Sequence, residues 1–290
     1  MYLEHYGLKV APFENTPDPR FLYASEDHTE ALAGIEYTVR MRKGIVLVSG
    51  EIGSGKTIIT HVLRQRLGRV ATCFLIRQGH TSPEQFLKDV CRAMKLALPA
   101  DADRGEVLQI IEEFLVEQAH LDKPVVLIVD EAQMMSRSVL HEVRMLSNIE
   151  TPRQKLIQIV LLGQPDLRTV LRDPEMDPIR QRVALSHHLN GMSVDDTAKY
   201  LAHRLTVAAD AETAAGIFEA DAVDAIYEFT EGIPRMINYV ADNCLLVGFV
   251  KGVKTIDAAI VRHVTRNMML HNGGGCMEFV DCERHQLRAA

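Results

Sequence analysis

The sequence of 290 residues has no C-x-x-C pair, no apolar run long enough for a bilayer and no excess of positive charge. Its five cysteines, Cys73, Cys91, Cys244, Cys276 and Cys282, are scattered and odd in number, which excludes a disulfide framework and fits a reduced, intracellular protein. Cys276, Cys282 and His285 lack a fourth ligand at finger-like spacing, so no metal is assigned to them. The longest apolar stretches, such as Cys244 to Val250, are too short to cross hydrocarbon, and the amino terminus Met1-Tyr2-Leu3-Glu4-His5-Tyr6 lacks the plan of a secretory signal. A soluble, cytoplasmic chain is expected, peripheral at an inner membrane only through a partner. The formal charge of −7 excludes a chain-wide electrostatic grip on nucleic acid and leaves only a local basic patch as a route to DNA. Internal repeats are absent.

What is present begins with Gly50-Glu51-Ile52-Gly53-Ser54-Gly55-Lys56-Thr57, a G-x-x-x-x-G-K-[ST] pattern. The apolar, β-branched stretch Gly44 to Ser49 before it reads as a strand buried on both faces of a parallel sheet. The glycines let successive backbone N–H groups turn toward an anion, and a helix starting near Lys56 adds its positive dipole end. Lys56 then meets β- and γ-phosphate charge, while Thr57 offers a hydroxyl to Mg²⁺.

A second chemical element follows the chain break at Lys123-Pro124. Val125-Val126-Leu127-Ile128-Val129-Asp130-Glu131 is a buried strand ending in two acids, the hhhhDE form of a Walker B motif. Asp130 is suited to the metal shell and Glu131 to orienting or deprotonating a water. Leu156 to Leu162 reads as a further central strand, with the Gln164 amide just past its end, in reach of a γ-phosphate or the nucleophilic water. Arg180 and Arg182 precede a strand-like Val183 to Leu189; in an oligomeric nucleotidase such an arginine can reach the neighbouring subunit's site.

Alternation of strands and helices through residue 190 predicts a parallel α/β sheet, and the length suits two domains. Residues 1–25, with Pro12, Phe13, Pro17, Pro19 and several tyrosines, read as an extended, turning segment, either a packing arm over a sheet edge or a wall for a planar base. Ser25-Glu26-Asp27-His28 resembles a capping box opening a helix through about Arg42. Residues 26–190 form the expected phosphate-loop core. Residues 191–271 read as helices without strands, a lid, and 272–290 as a disordered tail led by Gly273-Gly274-Gly275. Gly232-Ile233-Pro234-Arg235 starts one lid helix and puts Arg235 where the dipole gives a cation nothing, which favours a functional task such as phosphate contact.

In these motifs the sequence resembles the AAA+ ATPases, and within them the ExeA/general secretion pathway protein A group related to pilus and exopolysaccharide ATPases. The narrowest signature is Tyr6-Gly7-Leu8, Pro12-Phe13, Thr16-Pro17-Asp18-Pro19-Arg20-Phe21-Leu22-Tyr23, His28 and Glu30-Ala31-Leu32. The phosphate loop, Asp130-Glu131-Ala132-Gln133, Leu162-Gly163-Gln164-Pro165, Gln181-Arg182 and Gly232-Ile233-Pro234-Arg235 complete it. The resemblance implies a three-layer α/β/α P-loop fold with a helical lid, ATP and Mg²⁺ as ligands, and a ring or arc of identical subunits. It gives Gln164 the sensor-1 place, Arg235 the sensor-2 place and Arg182, with Arg180 second, the arginine-finger place, and it sets Pro12-Phe13 beside the adenine. Two departures stand out. Gln78-Gly79 occupies the place of an Asn-Pro pair that carries the group's switch residue, and the membrane segment and peptidoglycan-binding domain of secretion-type members are not read in these 290 residues, so cell-wall binding is not among the expectations.

The expected function is Mg·ATP hydrolysis, with ATP held between core and lid, driving assembly or remodelling of a secretion, pilus or polysaccharide-export complex. The alternative is an ATP-dependent DNA-targeting switch of the transposition or replication type with slow hydrolysis. A small-molecule kinase fits less well, because a dedicated acceptor site is not evident.

Overall fold

A computed structural model describes residues 1–15, 18–68, 70–77, 82–209 and 216–271. Thr16-Pro17, Gln78-Gly79 and the tail from 272 onward, with Cys276, Cys282 and His285, lie outside the described residues. The chain divides into two compact units: 24–190, and 1–23 joined with the stretch from Gly191 onward.

The first unit is built on β1 (Ile45–Gly50), β2 (Thr72–Ile76), β3 (Val125–Val129), β4 (Ile157–Gly163) and β5 (Val183–Leu189). They form a five-stranded sheet in the order β2-β3-β4-β1-β5, with every pairing parallel. Side chains alternate across a strand, so the mainly apolar, fully buried strands β1, β3 and β4 feed two cores. Ile45, Leu47, Leu127, Ile159 and Leu161 enter one, packed on helices Pro83–Met94, Arg104–His120 and Arg137–Ser147. Val46, Val48, Ile128, Val160 and Leu162 enter the other, against helices Glu26–Arg40 and Lys56–Leu67. The result is the expected three-layer sandwich. The edge strands β2 and β5 are the ones with partly exposed residues.

The second unit is helical, with Val194–Ala208, Ala220–Thr230, Pro234–Lys251 and Ala258–His271 around one apolar core. Residues 1–23 belong to that core, where the extended reading needs correction. Tyr2–Tyr6 is a helix closed by Gly7 in the left-handed region, and Pro19–Phe21 is a single 3₁₀ turn. Five residues make too few i→i−4 bonds to hold a helix alone. This one is held by burial of Tyr6 and by Tyr2 Oη donating to Asp242 Oδ1 at 2.7 Å. Arg204 ties down the rest of the segment. It is 6% exposed, and its guanidinium donates to the carbonyls of Pro12 and Glu14 (2.5 and 2.8 Å) while facing the Phe21 ring at 5.0 Å.

Candidate active site

All strands are parallel, so the turns after β1, β3 and β4 emerge at one edge of the sheet, the usual ligand edge of open α/β folds. The phosphate loop follows β1, Asp130-Glu131 follow β3, and Gln164 follows β4. Because β4 lies between β1 and β3, the loop and the acids stand about 10 Å apart, two strand spacings. A nucleoside triphosphate and its divalent ion fit such a gap.

The loop is held in shape from outside itself. Gly55 has φ +99°, a conformation an L side chain rarely adopts, and a Cβ there would lie 2.4 Å from His28 Nε2. His28, 4% exposed, makes this close approach because its Nε2 lies 2.9 Å from the Ser54 carbonyl and its Nδ1 lies 2.6 Å from Ser25 Oγ. A carbonyl only accepts, so Nε2 carries the proton and donates. In the neutral ring Nδ1 then accepts a hydrogen bond from the Ser25 hydroxyl, while Ser25 Oγ also caps the helix by accepting from the His28 N–H at 3.4 Å. The capping-box expectation is corrected accordingly, since the third helical residue is a histidine whose ring bonds to the phosphate loop.

Lys56 heads the next helix and is 7% exposed. Its Nζ donates to the carbonyls of Gly50 at 2.6 Å and Glu51 at 2.8 Å. Burial pushes its pKa down, opposed by the charges of Glu131, Asp130 and Glu51. A cation held by loop carbonyls would gain charge-assisted bonds from phosphate oxygens. Ser54 Oγ is buried in the same loop without a hydrogen-bond partner among the described residues.

Burial pushes the Asp130 carboxyl pKa up, against the hydrogen bond from the Glu131 N–H at 3.0 Å and the charges of Lys56 and Arg77. A buried carboxylate is costly without a cation. With the exposed Thr57 hydroxyl it supplies hard oxygen donors of the kind Mg²⁺ takes, so these residues fit Mg·ATP. Glu131 has φ +55° and opens the 3₁₀ turn Ala132–Met134. Its Oε2 accepts from Gln133 Nε2 at 2.6 Å, and Gln133 Oε1 accepts from the Gln164 N–H at 3.0 Å.

The remaining expected site residues are carried by other elements. Val183 pairs with Ile45, and Leu189 with Gly50 at the phosphate-loop end. Arg182 therefore sits at the opposite end of β5, about 20 Å along the strand from its own phosphate loop. Arg180 donates to the Leu171 and Arg172 carbonyls at 3.2 Å and pairs with Asp177. Arg235 is exposed in the first turn of Pro234–Lys251, in the second unit. Phe13 also belongs to that unit, 2% exposed and edge-on to Phe218. The Phe13 ring is thus part of the helical core. Sequence reasoning gave His28 and Gln133 no role. The only signal for either was its place inside a quoted motif.

Residues 39–171 match the AAA domain family. The chain is 35% identical over 252 residues to general secretion pathway protein A of Aeromonas hydrophila, covering 87% of this chain. It spans 46% of that relative, about half its length. Among solved structures, Cdc6p from Pyrobaculum aerophilum superposes with a TM-score of 0.64 at 18% identity, over 86% of this chain and 70% of that one. The Thermotoga maritima RuvB Holliday junction branch migration motor gives 0.54 at 15% identity, over 85% and 72%. At these identities the two structures speak for the fold. Among the described residues, no helix is long and apolar enough to cross a membrane.

Proposed function

The chain belongs to the AAA+ ATPase family, and on that premise we propose that it binds Mg·ATP and hydrolyses it to ADP and phosphate. One observation carries this reading: the phosphate loop, Asp130, Glu131 and Gln164 share one edge of the parallel sheet, with Lys56 within electrostatic reach of both acids. Lys56 exchanges the Gly50 and Glu51 carbonyls for phosphate oxygens. Glu131 takes the proton of the attacking water, and the Gln164 amide orients that water or the γ-phosphate. Thr57 and Asp130 are the residues that would hold Mg²⁺, which when bound neutralises phosphate charge.

Arg182, too far along β5 to serve its own loop, is assigned to a neighbouring subunit's site, with Arg180 second because its guanidinium is already engaged. This makes the working form a homo-oligomeric ring or arc. Arg235 is assigned to nucleotide phosphate, residues 191–271 to a lid, and the amino-terminal segment around Pro12-Phe13 to the border of the adenine. The similarity to general secretion pathway protein A supports work on a secretion, pilus or polysaccharide-export complex from the cytoplasm, at the inner membrane through a partner.

The test is steady-state phosphate release with binding of a fluorescent ATP analogue, run with and without DNA. Glu131→Gln should bind ATP and lose at least 100-fold in turnover, and Lys56→Ala should lose binding. Normal ATP affinity in Lys56→Ala would end the reading. Turnover that starts only when DNA is added would favour the targeting-switch alternative.

A further inference from the structure

Glu131 is a poor candidate for holding itself in place. Its backbone is in the left-handed region at φ +55°, and a glutamate side chain has rotatable bonds whose freedom must be lost before it can serve as a base in one geometry. The turn it opens returns Gln133 onto it. The Gln133 carboxamide is planar and is held at both ends, with Nε2 on Glu131 Oε2 at 2.6 Å and Oε1 on the Gln164 N–H at 3.0 Å. Room for this bridge exists because residue 163 has no side chain. A Cβ on Gly163 would lie 3.0 Å from Gln133 Oε1 and 3.2 Å from the Gln133 backbone nitrogen.

We propose that Gln133 is a positioning residue for hydrolysis, fixing the Glu131 carboxylate and tying it to the turn after β4 that carries Gln164. The acid at the end of β3 and the amide at the end of β4 are thereby set by one rigid group, so a shift of the Gln164 turn is passed to the base. The proposal rests on Glu131 being the base, as in the proposed function. It also gives this chain a restraint within its own Walker B turn, whereas Gln78-Gly79, at the place of the family's Asn-Pro pair, lies outside the described residues.

Two substitutions separate the arms of the bridge. Gln133→Met keeps the length of the side chain and removes both arms. Gln133→Glu keeps an acceptor for the Gln164 N–H, removes the donor to Glu131 and adds a like charge beside it. With the full chain and Mg·ATP, both variants should lose roughly ten- to a hundredfold in kcat, short of complete loss of a general base. KM and the Kd of a fluorescent ATP analogue should stay within about twofold of the parent, because uniform binding is untouched. On a Glu131→Gln background, neither should lower kcat further. Melting curves without nucleotide check that each variant is folded.

Parent-like kcat in Gln133→Glu, with Glu131→Gln inactive, would overturn the proposal and leave the ATPase reading intact. So would a rise in kcat, since the amide would then be holding the acid away from its work. A merely structural role would lower the melting temperature and leave kcat and KM of the folded enzyme unchanged. Parent-like turnover in Glu131→Gln would instead defeat the ATPase reading itself.

Discussion

Replacing His28 with alanine tests whether the phosphate loop is shaped from outside itself. The imidazole is buried and engages the Ser54 carbonyl through Nε2 and Ser25 Oγ through Nδ1, at 2.9 and 2.6 Å. Its removal leaves a buried carbonyl without this donor, at about 1–3 kcal/mol, and opens a cavity beside Gly55. A loss of about 2–4 kcal/mol in global stability is expected, read as a fall in the urea midpoint at unchanged m-value. If about 1.4 kcal/mol of that loss falls on the loop's bound-like shape, ATP affinity drops tenfold. Isothermal titration with ATP and with ADP should show similar weakening for both, because the brace acts on the loop and not on the γ-phosphate. His28→Gln, whose amide can donate to the Ser54 carbonyl, should recover part of both quantities. A variant that loses stability yet binds ATP as the parent does would make His28 a packing residue only. Unchanged stability and affinity would refute the brace altogether.

Asp130→Asn should raise the stability of the nucleotide-free protein at neutral pH while abolishing its response to Mg²⁺, measured by melting temperature. The sign follows from burial, which raises the folded pKa of Asp130 above its unfolded value. Its stabilising contribution is complete below the unfolded pKa and is lost as pH rises through the folded one, so the advantage of the asparagine should vanish in acid; a less stable variant at neutral pH would contradict the electrostatics. Arg182→Ala should keep ATP affinity and lose turnover, and mixing it with Glu131→Gln should restore some activity by pairing an intact finger with an intact base; no recovery at any ratio in a mixed oligomer would count against action in trans. Cys244 and Cys91, with thiols pushed up by burial to about 12 and 11, should resist maleimide in native protein at pH 8 and react on unfolding, which peptide mapping would resolve. Arg204→Met should destabilise the helical unit by about 1–3 kcal/mol by freeing a buried and a partly buried carbonyl of the amino-terminal segment, and a parent-like melt would show that the rings suffice.

Much of the sheet unit was legible because its signals are local. A continuous apolar run such as Val125–Val129 can be satisfied by a strand covered on both faces, and Ser25 announces a helix start by cap chemistry, with its Oγ accepting from the His28 N–H in the structure. The Tyr2–Tyr6 helix was illegible for the opposite reason. Its own five residues favour no structure strongly, and the rings that fix it answer to Asp242 and its neighbours more than 200 positions away.

The sequence by itself determined the chemistry at hand: a glycine-rich anion loop, a lysine, a hydroxyl and two acids, since each depends on residue type at short spacing. Only the tertiary structure decided how those groups are held. Parallel pairing brought three separate turns to one edge, packing laid His28 on the Ser54 carbonyl 26 residues away, and a reversal of the chain turned Gln133 back to bridge Glu131 and Gln164. Hydrogen bonds act over about 3 Å of space whatever the distance along the chain, so these partners could be known only after folding had brought them together.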